Sequence, residues 1–561
     1  MLPDVRPYTE ALRILVIEDS DSARERIVGI LTSHAQAQHA QFAITEAATY
    51  EGARDALISE YFDFAIVDLV LHGGPTGEIE EWEGFWLLQD LFEMGLQEET
   101  AVVVLTSFDI GRVANIALTR FKALIFLSKE QSSDDIVDSI AELLEEQHDC
   151  GMRCNLTLAE PETWRELVLR LGRGQFGRLT SPVSVGEAEV ELNHLVRRLE
   201  RSATDVHLTP MEGGHSGAAV ARVTRHRDGV HLADVIIKYG LAPAIHEEQQ
   251  RYRKVSDLVS DQRLTQLNQV ALGRNLGVLE YTLVGADPAQ VRPFGEFYRH
   301  ASAADVRRCV EALFERTCGR WYANRRAVSG LSLSDHYAEH LGFSRATLAR
   351  EYAFKFGDKI IGRETIRHVE LPRDLPDPVT AVTSGAADVV CDTWVCPSHG
   401  DMHGGNILVD GPHGEPWLID FAAAGEAHWA RDFAALECCV KFQYTDAAHD
   451  LGGLYELESV LADSESLSEG VGSRVSLQRA DLAKALRAAS DIRQVMAGLV
   501  GDAMSERVMY REYHAALLYQ SLNYLRFHSL LKKQKARKHH VLAAAALAYE
   551  VVMLGSEAAP S

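Results

Sequence analysis

A chain of 561 residues is too long for one hydrophobic core, so two or three domains are expected. Apolar content of 46% and charged content of 24% are ordinary for a globular protein, and a formal net charge of −25 argues against nucleic acid or an anionic membrane surface as the main partner. No stretch reaches ~18 uninterrupted apolar residues, and no basic start leads into an apolar signal region. The eight cysteines contain no C-x-x-C pair. These features predict a cytoplasmic protein with reduced thiols, no membrane span and no nucleic-acid partner.

Residues 1–148 alternate apolar runs with helical patterns. "LRILVI" (12–17), "FAIVDL" (64–69), "AVVVLT" (101–106) and "ALIFLS" (123–128) are strand candidates, with a weaker one at 41–47. Between them "SARERIVGILTSH", "TYEGARDALISEY" and "GFWLLQDLFEMG" carry apolar residues at helical spacing, and "DDIVDSIAELLEEQ" closes the unit as a last helix. Strands alternating with helices predict a parallel sheet covered on both faces. Residues 149–204 are less regular and read as a helical linker region, with the Gly/Ser/Pro stretch "GRGQFGRLTSPVS" inside it. A second module follows over 205–555. Strand candidates "VHLTPM", "AAVARVTRH", "LADVIIKYG" and "GVLEYTLV" precede a region from about 300 in which helical patterns dominate.

In an open parallel sheet, ligands sit at the carboxyl ends of the strands. Here those ends carry Glu18 and Asp19, Asp68, Thr106 and Lys129. Three carboxylates can hold Mg²⁺, one can act as a nucleophile toward phosphorus, and the lysine and hydroxyl can bind phosphoryl oxygens. This region resembles the response-regulator receiver domain, which implies a flavodoxin-like doubly wound α/β fold. The resemblance makes Asp68 the phosphorylated residue and Glu18, Asp19 and Asp68 the Mg²⁺ ligands. Thr106, Lys129 and Phe126 become the receiver switch, and a histidine kinase or small phosphodonor stands upstream. Two departures are visible: Glu130 replaces the usual proline after the lysine, and the loop after Asp68 is long.

The second constellation is "SHGDMHGGNILVDGPHGEPWLIDF", beginning at Ser398. "ILV" and "WLI" around a turn-rich centre predict a β-hairpin. Centred near His413, it pairs Ile407 with Ile419 and brings Asn406 beside Asp420, with Asp401 just upstream. Oxygen ligands for a nucleotide-bound Mg²⁺ and a carboxylate for an attacking hydroxyl are what phosphoryl transfer needs, and D-x-x-x-x-N matches the spacing of a kinase catalytic loop. A zinc reading with His399 and His403 needs a helix that Gly400, Gly404 and Gly405 oppose; His399 reads as structural. Upstream, "EGGHSGAAVARV" offers backbone N–H groups to phosphates at Gly213, Gly214, Ser216 and Gly217. Lys238 stands in an apolar strand and needs a partner, for which Glu247 and Glu248 are candidates.

"HGDMHGGN", "LIDF" and "RDFAALE" (431–437) resemble the aminoglycoside phosphotransferase and choline kinase group, and within it a bacterial branch of ternary-complex-associated kinase-like domains. The resemblance implies a two-lobed, protein-kinase-like α+β domain, with an N-lobe over about 205–285 and a helical C-lobe over 286–555. It makes Asp401 the catalytic base, Asn406 and Asp420 the Mg²⁺ ligands, and Lys238, with Glu248, the ATP-phosphate site. Asp432 would brace the loop, and "EYTLVG" (280–285) would be the hinge. The expectation is a signalling protein whose receiver regulates an ATP- and Mg²⁺-dependent phosphotransferase acting on an unidentified hydroxyl acceptor. The alternatives are a non-catalytic nucleotide-binding module that recruits partners under receiver control, and a kinase that the receiver does not regulate. A homodimer is compatible with the sequence.

Overall fold

The computed structural model describes residues 12–554 except 39–41, 60–61, 72–82, 94–99, 107–116, 119–122, 124, 130–134, 136–137, 141, 144–153, 172–184, 201, 212–217, 257–264, 274, 283–290, 358–361, 412–413, 448–449, 464–465, 469–476, 528–529 and 532–535. The chain forms two compact units, 1–246 with 267–283, and 247–266 with 284–561.

In the first unit β1 (Leu12–Ile17), α1 (Asp21–Gln38), β2 (Phe42–Ala47), α2 (Tyr50–Ser59), β3 (Phe64–Val67), α3 (Glu83–Glu93), β4 (Ala101–Thr106) and β5 (Ile125–Ser128) follow in chain order. The strands make one parallel sheet ordered β2-β1-β3-β4-β5. Leu15, Ile17, Ala65, Val67, Val102 and Val104 pack on one face against Ala53, Leu57, Leu87 and Leu91 of α2 and α3. Ile14, Val16, Phe64, Ile66, Val103 and Leu105 pack on the other against Ile27 and Leu31 of α1. Burial on both faces explains why the inner strands β3 and β4 read as apolar runs, whereas the edge strand β2 is only partly buried and carries Thr45 and Glu46. The order is the flavodoxin-like one, and it reverses between β1 and β3, where a crevice opens at the carboxyl ends. The last helix expected over 134–147 lies largely outside the described residues.

The same unit continues with β6 (Asn155–Leu158), α4 (Trp164–Leu169), α5 (Val185–Leu199), β7 (Asp205–Met211), β8 (Ala219–Arg227), β9 (Val230–His231), β10 (Val235–Leu241), α6 (Ala242–Ser256, whose later turns belong to the second unit), β11 (Leu267–Leu272) and β12 (Leu276–Thr282). The sheet runs β11-β12-β10-β8-β7-β6, with β9 on β8. Here the structure differs from the reading of 149–204 as a linker. β6 pairs in parallel with β7, and Leu167, Val168, Leu192, Leu195, Val196 and Leu199 enter the core that holds Val206, Ala221, Val235 and Ile237. A four-residue edge strand with two half-buried side chains is too short to announce itself by alternation.

Glu200, just past α5, is fully buried. Burial first, then the neighbouring Glu280 carboxyl, pushes it up to about 7 against the pull of Arg225. Its ordinary value is 4.5, so between the two values the folded chain keeps a proton that the unfolded chain has lost. The stabilisation is complete below the unfolded value and disappears as pH rises through about 7. Thermal unfolding of Glu200→Gln, which cannot ionise, is expected to gain on the wild type by on the order of 2–3 kcal/mol from pH 5 to pH 8.

In the second unit β13 (Arg292–Pro293), β14 (Arg326–Ser332), β15 (Thr365–Ile366), β16 (Leu375–Pro376), β17 (Val390–Ser398), β18 (Ile407–Asp410), β19 (Glu415–Leu418) and β20 (Gly425–His428) form three small sheets: β13-β18-β19, β14-β17-β20 and β15-β16. They precede the helices α7 (Arg431–Gln443), α8 (Leu451–Ala462), α9 (Ala480–Val500), α10 (Glu506–Asn523) and α11 (Arg537–Leu554). The hairpin forms one residue out of the expected register: Ile407 pairs with Leu418, so Asn406 faces Ile419 and Asp420 lies one residue beyond. The apolar C-terminal segment is the mostly buried α11. Among the described residues no helix is long and apolar enough to cross a membrane. Among the described residues seven cysteines are free thiols, six of them buried.

Candidate functional site

The first site lies at the switch point. Asp68 donates its N–H to the Ile17 carbonyl (2.9 Å), and Glu18 donates its own to Ala47 (3.1 Å), so both follow directly from paired strand ends. Glu18 and Asp68 are buried and Asp19 is half-buried. One ligand atom from each of the three lies within 4.8 Å of the others, the single such acidic cluster among the described residues. Lys129 Nζ sits 2.6 Å from Asp68 Oδ2 and 2.7 Å from Glu18 Oε2, and its N–H donates to the Thr106 carbonyl (2.8 Å). Thr106 is fully buried at the end of β4, and Phe126 is half-buried against the core. Gly84 packs so closely over the site that a Cβ there would lie 1.9 Å from the Asp68 carbonyl oxygen.

Burial pushes Glu18 and Asp68 above the usual carboxylate range against the pull of Lys129. Burial works to lower Lys129 too, but the two carboxylates outweigh it. Three carboxylates against one ammonium leave an excess of negative charge, and Asp68 Oδ1 is buried with no hydrogen-bond partner. That donor set fits Mg²⁺, which takes carboxylate and water oxygens.

The second site is built where β17 hands over to the loop 398–406. β17 pairs with β20, Ser398 opposite Gly425, which brings the loop to the start of α7. There the buried Asp432 carboxylate accepts from the Ser398 hydroxyl (2.9 Å), the His399 N–H (2.8 Å) and the Gly400 N–H (2.9 Å). Gly400 has φ +80°, and a Cβ there would lie 2.0 Å from the Ala423 carbonyl oxygen, so this turn requires glycine. His399 is fully buried, with Nε2 2.9 Å from the Ile419 carbonyl, a structural role.

Asn406 Nδ2 donates to the Asp401 carbonyl (3.0 Å) and to Asp401 Oδ2 (3.2 Å). His403, which the sequence offered only as a zinc ligand, lies on the same oxygen with Nε2 at 3.5 Å. Its Nδ1 accepts the Gly405 N–H (3.0 Å), which places the neutral ring's proton on Nε2, toward Asp401. The spacing Asp-x-His between glycines was the available signal. Half of the Asp401 side chain meets solvent, yet the packed walls desolvate it and push its pKa up. The hydrogen bond and charge of His403 outweigh this and hold Asp401 at about 2. Burial acts to lower His403, while Asp401, and behind it Asp420, raise it. Asp420 adopts the left-handed φ of +64°, rare for a residue with a side chain, and accepts a long bond from the Ala422 N–H (3.4 Å). Asn406 and Asp420 offer the amide and carboxylate oxygens that a Mg²⁺ would take.

Lys238 is buried in β10 between Val220 of β8 and Leu279 of β12. Of its two candidate partners, Glu247 is exposed and paired with Arg251, whereas Glu248 is buried. Gly213, Gly214, Ser216 and Gly217 lie outside the described residues, as does 283–285 of the expected hinge. Glu280 of that segment is buried in β12.

No curated protein matches this chain. Among solved structures, it is similar to a CheY-like response regulator receiver domain protein from Methanospirillum hungatei JF-1 at 19% identity, over 25% of this chain and 98% of that one, with a TM-score of 0.21. The signal receiver domain of a putative Luxo repressor protein from Vibrio parahaemolyticus matches at 19% identity, over 25% and 94%, with a TM-score of 0.20. The response regulator TrrA from Thermotoga maritima in complex with Mg²⁺-BeF matches at 20% identity, over 24% and 98%, with a TM-score of 0.19. The model of the family described as Ternary complex associated domain 9 matches residues 203–355 and 367–526. That span takes in more than half of the chain, including the loop 398–406, the β18–β19 hairpin and the bracing Asp432, and the chain belongs to the Ternary complex associated domain 9 family.

Proposed function

We propose that this protein is a two-component-type signalling enzyme: Asp68 accepts a phosphoryl group, and this controls an ATP- and Mg²⁺-dependent phosphotransferase of kinase-like fold acting on a hydroxyl acceptor. The observation that carries the first half is the buried Asp68 carboxylate, with one oxygen on Lys129 and the other unpartnered. An Asp68 oxygen attacks the donor's phosphorus as the bond to the leaving group breaks. Lys129 moves from carboxylate to phosphoryl oxygen, and the Thr106 hydroxyl, at the end of β4, bonds a second. Mg²⁺ held by Glu18, Asp19 and Asp68 supplies charge neutralisation when bound.

The second half rests on the clamped Asp401. Its ionised carboxylate accepts the proton of the acceptor hydroxyl as the oxygen–γ-phosphorus bond forms and the bond to ADP breaks. Lys238 and Glu248 serve the nucleotide phosphates, and Asn406 and Asp420 hold the metal. A histidine kinase or small phosphodonor acts upstream, in the cytoplasm.

The test compares ATP turnover of the full chain with and without acetyl phosphate. Asp68→Asn is expected to abolish both phosphoryl incorporation into the protein and any effect of the phosphodonor on turnover. Incorporation persisting in Asp68→Asn would overturn the assignment of the acceptor residue.

A further inference from the structure

α5 touches two structures in the first unit, and it does so with residues one turn apart. His194 Nε2 lies 2.7 Å from Asp63 Oδ1. Asp63 immediately precedes β3, at the end of the sheet away from Asp68, and is tied there by hydrogen bonds. Its Oδ2 accepts the Arg13 N–H (2.8 Å), its own N–H donates to the Arg13 carbonyl (2.9 Å), and its carbonyl accepts the Ala101 N–H (3.0 Å). The Asp63 carboxylate is therefore a post fixed to β1, β3 and β4 together.

Three residues before His194, Glu191 holds the turn between β11 and β12. Its Oε1 accepts the N–H groups of Asn275 (2.7 Å) and Leu276 (3.1 Å), and its Oε2 accepts Asn275 Nδ2 (3.0 Å). Gly273 makes room for this carboxylate: a Cβ there would lie 2.3 Å from Glu191 Oε1. At the other end of α5 the Leu199 carbonyl accepts Gln269 Nε2 (3.2 Å). Just beyond, Glu200 meets Arg225 at 3.4 Å, and Arg225 lies 3.8 Å from Glu280 of β12. The buried stripe Ala188, Leu192, Leu195, Val196 and Leu199 seats the helix on that sheet. A helix moves as a body, and residues three apart share a face, so a displacement at His194 reaches Glu191.

We propose that α5 is a coupling helix: latched to the first sheet by Asp63 and His194, it carries that sheet's state to the β11–β12 hairpin through Glu191. The latch stands on geometry alone. Its use in signalling rests on the reading of Asp68 as the phosphoryl acceptor and is independent of phosphotransfer by the second unit.

The experiment is hydrogen exchange on the full chain, in two arms. Without ligand, Asp63→Ala and His194→Ala are each expected to lower protection of the Asn275 and Leu276 amides roughly fivefold, with the double variant no lower than either single one. His194→Gln, which keeps a donor, should restore protection. Unchanged protection in the single variants, or additive losses, overturns the latch. In the second arm Mg²⁺ and beryllofluoride are added. Protection is expected to change at 64–71 and at 269–282 in the wild type, but only at 64–71 in His194→Ala. A response at 64–71 with none at 269–282 in the wild type, or an equal response in His194→Ala, overturns the coupling. No response at 64–71 would count against Asp68 as acceptor, and the first arm would still decide the latch.

Discussion

Asp401→Asn is expected to lower phosphoryl transfer from γ-labelled ATP by ~10²–10⁴-fold, the usual contribution of a positioned acid or base, while nucleotide binding is kept. The substitution is close to isosteric, and the Asn406 bond to the Asp401 carbonyl does not depend on the side chain. The braces from Asp432 lie upstream of it. What is lost is the charge and one acceptor oxygen. Oδ2 already faces Asn406 and His403, which leaves Oδ1 for the substrate hydroxyl. In the proposed mechanism a pKa held at about 2 would make Asp401 a weak base, one that orients the hydroxyl and receives its proton late. That suits the loose transition state of phosphoryl transfer and places the loss in kcat, with KM little changed. Label is followed separately in protein and small-molecule fractions of a cytoplasmic extract, which also identifies the acceptor class. Full turnover in Asp401→Asn would remove Asp401 from the mechanism. No Asp401-dependent label in either fraction, with ATP bound, would favour the recruiting module.

The two sites were legible to different depths. Glu18, Asp19, Asp68, Thr106 and Lys129 could be found because β-strands buried on both faces stand out as apolar runs, and their polar successors then fall on one rim. The loop 398–406 was legible because its residues are neighbours in sequence. The bracing by Asp432 had been expected only through the resemblance carried by "RDFAALE". Pairing geometry was harder. The hairpin register depends on which residues occupy the turn, and a centre one residue off moved the partner of Asn406 from Asp420 to Ile419. The strands β14, β17 and β20 escaped notice because β14 is largely exposed and all three pair across long separations, which local pattern does not record. α5 lies in the stretch read as a helical linker, but Asp63 and His194 are 131 positions apart by their residue numbers, and nothing local links them.

The buried charges of the second unit were equally silent in the sequence, and they carry the largest stability effect expected. Glu437 of α7 is fully buried. It accepts two parallel bonds from Arg493 of α9 (2.8 Å each) and one from the Tyr513 hydroxyl of α10 (2.7 Å), with Lys441 at 3.2 Å. Lys441 also reaches Glu458 of α8 (2.8 Å), which holds His540 of α11 (2.8 Å). Burial pushes Glu437 upward, but Arg493 first and then Lys441 pull it down to about 2. Glu437→Ala would strand the buried Arg493 without the only carboxylate paired with it among the described residues and leave Lys441 with Glu458, so a loss of ~3–5 kcal/mol is expected in urea unfolding. Replacing Glu437 and Arg493 together by apolar side chains of similar volume should cost less than the single change, since no arginine is then stranded and Lys441 keeps its ion pair with Glu458. If Glu437→Ala lost under ~1 kcal/mol, the network would be relaxing into solvent instead of holding the helices together. Because Asp432 sits on the same helix, a variant that survives folding should also show weakened protection of the His399 and Gly400 amides. Phosphotransfer should then fall with it, through a loop no longer held from behind.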